Sequence, residues 1–328
     1  MRRWAGPAIA LALAGCAAPV APLPAQPVAV GSAIEVDAQP VPLDPTDVRR
    51  DRIGNFVYAG GLALTSRQTS RLHGLSDLKI RPDGRLLALG DQSDLLEARV
   101  VLDAAGRLVG VASATMIALK AETGADLYAG GQREYDSEGV ARLANGDLLA
   151  SFEQHDRILL FPRDGGLPRR VPAPEVAFTS NKGMEALTTA PEVAPDAYRV
   201  GLEDSGWTFL CRVSTTCVRD RDLDLDGLEL VAMDNLPGGG LAYLLRTYSP
   251  LRGNLIKLKV LDRAGRLVDS LEIARPLTVD NLEGLAAVPR PGGGVRFYLV
   301  SDDNFGTYSG LPTDQRTLLL AFDWAPAR

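Results

Sequence analysis

The sequence predicts an all-β fold: a single β-propeller of about six blades, with five to seven compatible, joined by loops and short helices only. Three observations carry this reading. First, an acidic-Gly-apolar signature recurs at Glu138-Gly139-Val140, Asp226-Gly227-Leu228 and Glu283-Gly284-Leu285, with Glu185-Ala186-Leu187 as a near copy. Glu138 to Glu185 is 47 residues and Glu185 to Glu283 is 98, about two such steps, with Asp226 between them. A period near 45 is the spacing of propeller blades. An earlier stretch, Leu75-Ser76-Asp77-Leu78, fits the same slot with its acidic position degraded.

Second, each copy runs into an apolar stretch, a polar turn and another apolar stretch. The turns are Pro82-Asp83-Gly84, Ala144-Asn145-Gly146-Asp147, Pro195-Asp196, Pro237-Gly238-Gly239-Gly240 and Pro291-Gly292-Gly293-Gly294. Asp-Gly and Asn-Gly between short apolar runs mark β-hairpins, because both residues accept the positive φ of tight turns. Third, 33 Gly and 22 Pro supply many turns, no long amphipathic helix stands out, and the candidate strands at 56–64, 85–89, 157–161, 241–245, 295–300 and 317–322 are short. The closing run at 317–322 can complete the same sheet as Phe56-Val57-Tyr58 and so seal the ring.

The chain divides into a signal peptide at 1–15, a Pro/Ala-rich tether at 16–50 and a propeller domain at 51–328. Met1-Arg2-Arg3-Trp4 is a basic leader, the apolar stretch after it is short, and Leu13-Ala14-Gly15-Cys16 places small residues ahead of a cysteine. This resembles a bacterial lipobox, which implies cleavage before Cys16, lipid on that residue, and a protein held at the cell envelope facing the periplasm. The apolar stretch falls short of the roughly 20 residues a spanning helix needs. The tether reads as partly extended polyproline-II chain. In an oxidising compartment, Cys211 and Cys217 read as a disulfide stapling a local hairpin.

A hairpin returns to the level at which it started. The second strand of each unit ends at Asp91, Glu153, Glu203, Arg246 and Asp302, so strand starts and strand ends share one rim. Arranged radially, that rim carries a ring of carboxylates. Its candidate metal ligands are Glu138, Glu185, Asp226, Glu283, Asp302 and Asp303. Ca²⁺ suits such a ring, since it takes six to eight oxygens and tolerates ligands from separate strands. The charge balance agrees: loss of Arg2 and Arg3 with the signal leaves 33 basic against 41 acidic residues, a net charge of −8. Nucleic acid is excluded as a partner on this ground, because phosphate neutralisation needs a basic face.

Several stretches carry a family resemblance. Asp280-Asn281-Leu282-Glu283-Gly284-Leu285, Leu299-Val300-Ser301-Asp302-Asp303-Asn304-Phe305 and Gln315-Arg316-Thr317-Leu318-Leu319-Leu320-Ala321-Phe322 are similar to the C-terminal hallmark of the phytase-like, "esterase-like activity of phytase" proteins. Gly74-Leu75-Ser76-Asp77, Asp136-Ser137-Glu138-Gly139, Asn181-Lys182-Gly183-Met184-Glu185 and Arg246-Thr247-Tyr248-Ser249-Pro250-Leu251 follow that family's motif order. The resemblance implies an exported propeller with activity on phosphoric or carboxylic esters. Two departures stand out: Asp77 where the pattern has Gly, and Leu245 before Arg246 where it often has Glu, which implies that the rim lacks one acidic position.

The machinery of a serine esterase is not in evidence. No Gly-x-Ser-x-Gly elbow occurs, and Gly306-Thr307-Tyr308-Ser309-Gly310 has its serine one place off. Only two histidines are present, of which His155 lies nearer the expected rim and His73 reads as a loop residue. Two functions remain open. One is a lipid-anchored, metal-assisted hydrolase of a small phosphate ester, with His155, Arg246 and Arg316 as catalytic candidates and the arginines gripping phosphate oxygens. The other is a non-catalytic propeller lipoprotein that binds a ligand or an envelope component.

Overall fold

Strands this short, apolar on both faces, are buried only when sheet stacks on sheet. The computed structural model, which describes residues 33–178, 182–308 and 311–325, stacks five antiparallel sheets around one axis. The signal peptide, Cys16, Asn181 and Ser309 lie outside the described residues. The innermost strands of the five blades are Leu75–Ile80, Ser137–Arg142, Ala186–Thr189, Glu229–Asn235 and Asn281–Pro289. Each touches the next, and the fifth touches the first. The core is divided accordingly into five apolar clusters, one between each pair of neighbouring blades.

The ring closes by strand exchange between the chain ends. In the fifth blade Asn281–Pro289, Val295–Asp302 and Leu318–Trp324 are followed outward by Phe56–Thr65 and Asp37–Pro40. Trp324 pairs with Phe56 and Phe322 with Tyr58, as the apolar run at 317–322 predicts. The blade count settles at five, at the low edge of the expected range. The chain ahead of Leu75 builds no blade of its own but lies along the edges of the first and fifth.

For the same reason the folded domain begins well before residue 51. Ala33–Ile34 pairs with Leu108–Ala118 of the first blade, and Asp37–Pro40 with Phe56–Thr65 of the fifth. The Val41 carbonyl accepts from the Tyr58 hydroxyl at 2.7 Å, and the Leu43 carbonyl from Thr278 N at 2.8 Å. The second half of the stretch read as a tether is therefore a clasp across the ring seam. Cys211 and Cys217 form a disulfide between directly opposed positions of the strands Trp207–Arg212 and Cys217–Asp222, with Cα atoms 4.0 Å apart.

Polar side chains block the axis. Asp77 is fully buried and accepts from Leu78 N of its own strand at 2.8 Å, Val140 N of the second blade at 2.9 Å and Leu285 N of the fifth at 3.4 Å. The Lys79 ammonium donates to Asp77 at 2.9 Å and to the carbonyls of Met233 and Leu285. Asp234 accepts from Thr188 Oγ1 and Ala287 N, tying the third, fourth and fifth blades. Every blade is bonded at this level, and the axial space beyond the acidic rim is a cup closed at its base. Among the described residues no helix is long and apolar enough to cross a membrane.

Candidate metal centre at the acidic mouth

Two sets of positions build the mouth. At the start of the inner strands Ser76, Glu138, Glu185, Val231 and Glu283 hold equivalent places, each one residue before the small residue Asp77, Gly139, Ala186, Ala232 or Gly284. In four blades the ladder register shifts there, and such a bulge turns a side chain off the sheet face. Asp91, Glu153, Glu203 and Asp302 stand at or just past the ends of the second strands, and Arg246 lies within its strand Leu241–Ser249; they are opposite Gly74, Asp136, Gly183, Asn281 and Glu229 respectively. The hairpin argument thus brings these five positions to one rim, although in the fourth blade the strand runs on past Arg246 to Ser249.

Asp226 is the exception. Asp226 and Gly227 have φ values of 52° and 77° in a tight turn in which Leu228 N donates to Leu225 O. The Asp226 carboxylate meets Lys257 and Lys259 at 2.8 Å, and those ammonium donors hold its pKa down to about 2. The motif at 226–228 is a turn signal that mimics the strand signal, and the rim place of the fourth blade belongs to Val231. Asp303 also leaves the ligand set. It accepts from His73 Nδ1 at 2.6 Å, Gly74 N at 3.0 Å, Thr317 Oγ1 at 2.9 Å and Phe305 N at 3.2 Å, which fills its four lone-pair directions. Burial pushes its pKa up, but the bonds from His73 and its neighbours outweigh that and hold it below the ordinary value.

The catalytic candidates fare unevenly. His155 is held between Glu134, 3.0 Å from Nδ1, and Arg170, 3.0 Å from Nε2, away from the mouth carboxylates. Arg246 reaches into the mouth, where it donates to Glu283 at 2.5 Å and to Asn281, with Glu203 and Glu229 at 4.0 and 3.9 Å. Arg316 bonds through its backbone N to Asp280, while its exposed side chain lines a groove beside the mouth.

At the centre three carboxylates have no donor. Among the described residues Glu138, Glu153 and Glu185 make neither hydrogen bond nor ion pair, although Glu153 is only 6% exposed. Glu203 gives one oxygen to Lys182 at 2.8 Å, while its Oε2 is buried without a partner, as is Asp91 Oδ1. Burial first and carboxylate neighbours second raise Asp91, Glu138, Glu153, Glu185 and Asp302, while in Glu203 burial outweighs the lowering by Lys182. Asp91 is pushed up to about 9 and Glu153 to about 7, while Glu138, Glu185 and Asp302 also stand well above the carboxylate range. Lys182 and Arg246 are the cations among them. Two groups, Asp136-Glu138-Glu153 and Glu153-Glu185-Glu203, each bring their oxygens within 4.8 Å of one another and could hold a metal ion. The donor set is all oxygen and anionic, which fits a hard dication.

Similarity now supplies the family. Residues 70–305, well over half of the sequence, match the family described as phytase-like, esterase-like activity of phytase. The chain belongs to this family. No curated protein matches the sequence. Among solved structures, virginiamycin B lyase from Staphylococcus aureus is 11% identical, covering 89% of this chain and 100% of that one, with a TM-score of 0.43. The Mala s 1 allergen of Malassezia sympodialis is also 11% identical, covering 88% of this chain and 92% of that one, with a TM-score of 0.45.

In this phytase-like chain the mouth continues sideways into a groove of about 1010 Å³ between the fourth and fifth blades. Arg246 forms its inner wall, and Arg275 and Arg316 line it further out. Among the described residues neither outer arginine has a carboxylate partner within ion-pair distance, so both guanidinium forks are available to an anion. Candidate ligands absent from the sequence expectation are Asp136, Glu153 and Glu203. Glu153 and Glu203 already stood at the strand ends, whereas Asp136 is legible only once it is seen to oppose Glu153 across the hairpin.

Proposed function

We propose that the protein is an exported, lipid-anchored phytase-like hydrolase of phosphoric or carboxylic esters that works with a divalent cation, Ca²⁺, in the acidic cup. The observation that carries this reading is Glu203: at 3% exposure its Oε2 has no partner, yet it converges with Glu153 and Glu185. A buried carboxylate oxygen left bare costs free energy that a cation ligand would recover.

When bound, the cation supplies polarisation of the ester oxygen and acidifies a water. The chain's own residues do the rest. Arg246 is committed to Glu283 and keeps that side of the mouth from flying apart. Arg316, with Arg275, is placed to take the anionic portion of a substrate lying in the groove. The closed base of the cup leaves one way in, so substrate and product share the mouth.

The test is hydrolysis of p-nitrophenyl phosphate, p-nitrophenyl acetate and phytate by purified protein, in millimolar Ca²⁺ and in EDTA. Turnover in Ca²⁺ that EDTA abolishes supports the reading. Cation binding without turnover of any of these would favour the non-catalytic, ligand-binding lipoprotein, a role with which the engagement of both histidines at structural partners is consistent.

A further inference from the structure

We propose that the cup holds two divalent cations side by side, bridged by the carboxylate of Glu153. The proposal rests on the cation reading above and extends it.

The geometry of one blade is repeated in the next. Glu138 and Glu153 occupy in the second blade the inner-strand and strand-end places that Glu185 and Glu203 occupy in the third. Each pair belongs to its own group of three, and Glu153 is the member common to both. Within each group the oxygens lie within 4.8 Å of one another. Oxygens across a single Ca²⁺ are about 4.6–5.2 Å apart, twice the metal–oxygen distance. Each group therefore has the span of one coordination sphere.

A glycine makes the sharing possible. The place that Asp136 fills in the second blade is Gly183 in the third, and a Cβ there would lie 3.1 Å from Glu153 Cγ and 3.4 Å from its Oε1. Glu153 leans into that space and reaches the Glu185-Glu203 pair. It is 6% exposed with no donor among the described residues, so both its oxygens are available to bridge. The buried, unpartnered Oε2 of Glu203 points to a ligand in the third-blade group independently. One cation would leave either Glu138 or Glu185 uncompensated beside its neighbours.

Two cations sharing a carboxylate clamp the oxygens of one tetrahedral phosphoryl group, as two-metal phosphatases do with ions about 3.5–4 Å apart. The substrate class is thereby a phosphate ester.

The experiment uses the full-length protein. Calorimetric titration with Ca²⁺ gives the stoichiometry, and electron paramagnetic resonance of the Mn²⁺-loaded protein reports whether two ions interact. Two Ca²⁺ per chain and a spin-coupled Mn²⁺ spectrum are expected. G183A, which crowds Glu153, and E153Q should each reduce the stoichiometry to one or fewer and abolish the coupling, whereas D226N, in the distant turn, should leave both unchanged. One ion per chain, or two without coupling, overturns the bridge while leaving a single cation site. No binding of either ion overturns both readings. If a variant fails to fold, the wild-type stoichiometry and spectrum still decide.

Discussion

Arg246 of the fourth blade donates to Glu283 of the fifth at 2.5 Å, the one place on the mouth where an arginine fills a strand-end position that other blades give to a carboxylate. The pair spans a blade boundary and is half-buried, Arg246 held charged by Glu283, Glu185 and Glu203 against the pull of desolvation.

Removing the guanidinium should expose what it balances. R246Q leaves Glu283 half-buried beside Glu203 and Glu229, and the loss should stay below the about 3–5 kcal/mol that breaking a fully buried pair costs. Urea unfolding in EDTA should show that loss. In millimolar Ca²⁺ the deficit should shrink, because a dication replaces part of the missing charge.

The cation-free protein should lose stability as the pH rises. A carboxyl raised in the folded state keeps a proton that the unfolded chain has already released, so its favourable contribution is complete below the unfolded value near 4 and declines as pH climbs through the folded one. With Glu153 at about 7 and Asp91 at about 9, the decline runs from roughly pH 5 past pH 8. Melting curves in EDTA should therefore show a lower Tm at pH 8 than at pH 5. A flat or rising profile would mean that these carboxylates are already satisfied without metal.

Calcium should reverse that loss by mass action, with about 2.7 kcal/mol of stabilisation at a hundredfold excess over Kd. E138Q combined with E185Q keeps size and one acceptor oxygen but discards the charge. The double variant should fold, melt higher than the wild type in EDTA, and gain nothing from Ca²⁺. Differential scanning fluorimetry with and without the ion reads both effects.

Asp77 sits where the family pattern has glycine, and in this chain it binds two neighbouring blades and Lys79. D77A should be destabilising, by up to the about 3–5 kcal/mol that breaking a buried pair costs, because it strands the half-buried ammonium of Lys79. Adding K79M should recover part of the loss, since the unpaired charge is then gone. Urea midpoints of the single and double variants check the pairing.

The proposed lipid anchor requires the thiol of Cys16. C16S should move the protein from the membrane fraction to a soluble periplasmic or secreted form. Unchanged partition after fractionation would remove the lipid anchor from the account.

Hairpin periodicity and turn chemistry are local properties, and they made the all-β ring, the Cys211–Cys217 staple and the strand-end set Asp91, Glu153, Glu203, Arg246 and Asp302 legible from residues alone. They failed where a local signal has two meanings. Asp226-Gly227 satisfies both a strand start and a left-handed turn, and only the register of Glu229–Asn235 against Leu241–Ser249 separates them. The blade count of five falls within the expected five to seven but below its centre of six, because the stretch from Ala33 to Leu72 has strand character but no local clue that it pairs outward on two different blades.

By itself, then, the amino-acid order determined the repeat, the rim on which acidic residues gather and the family motifs, since each is written in short-range spacing. Tertiary structure decided which carboxylates are spent and which are bare. Asp303 is saturated by groups as distant as His73 and Thr317, Asp226 is neutralised by Lys257 and Lys259, and Glu153 leans over Gly183 towards the next blade. The energy of a charge depends on burial and on partners brought from elsewhere in the chain, and neither quantity exists until the ring has closed.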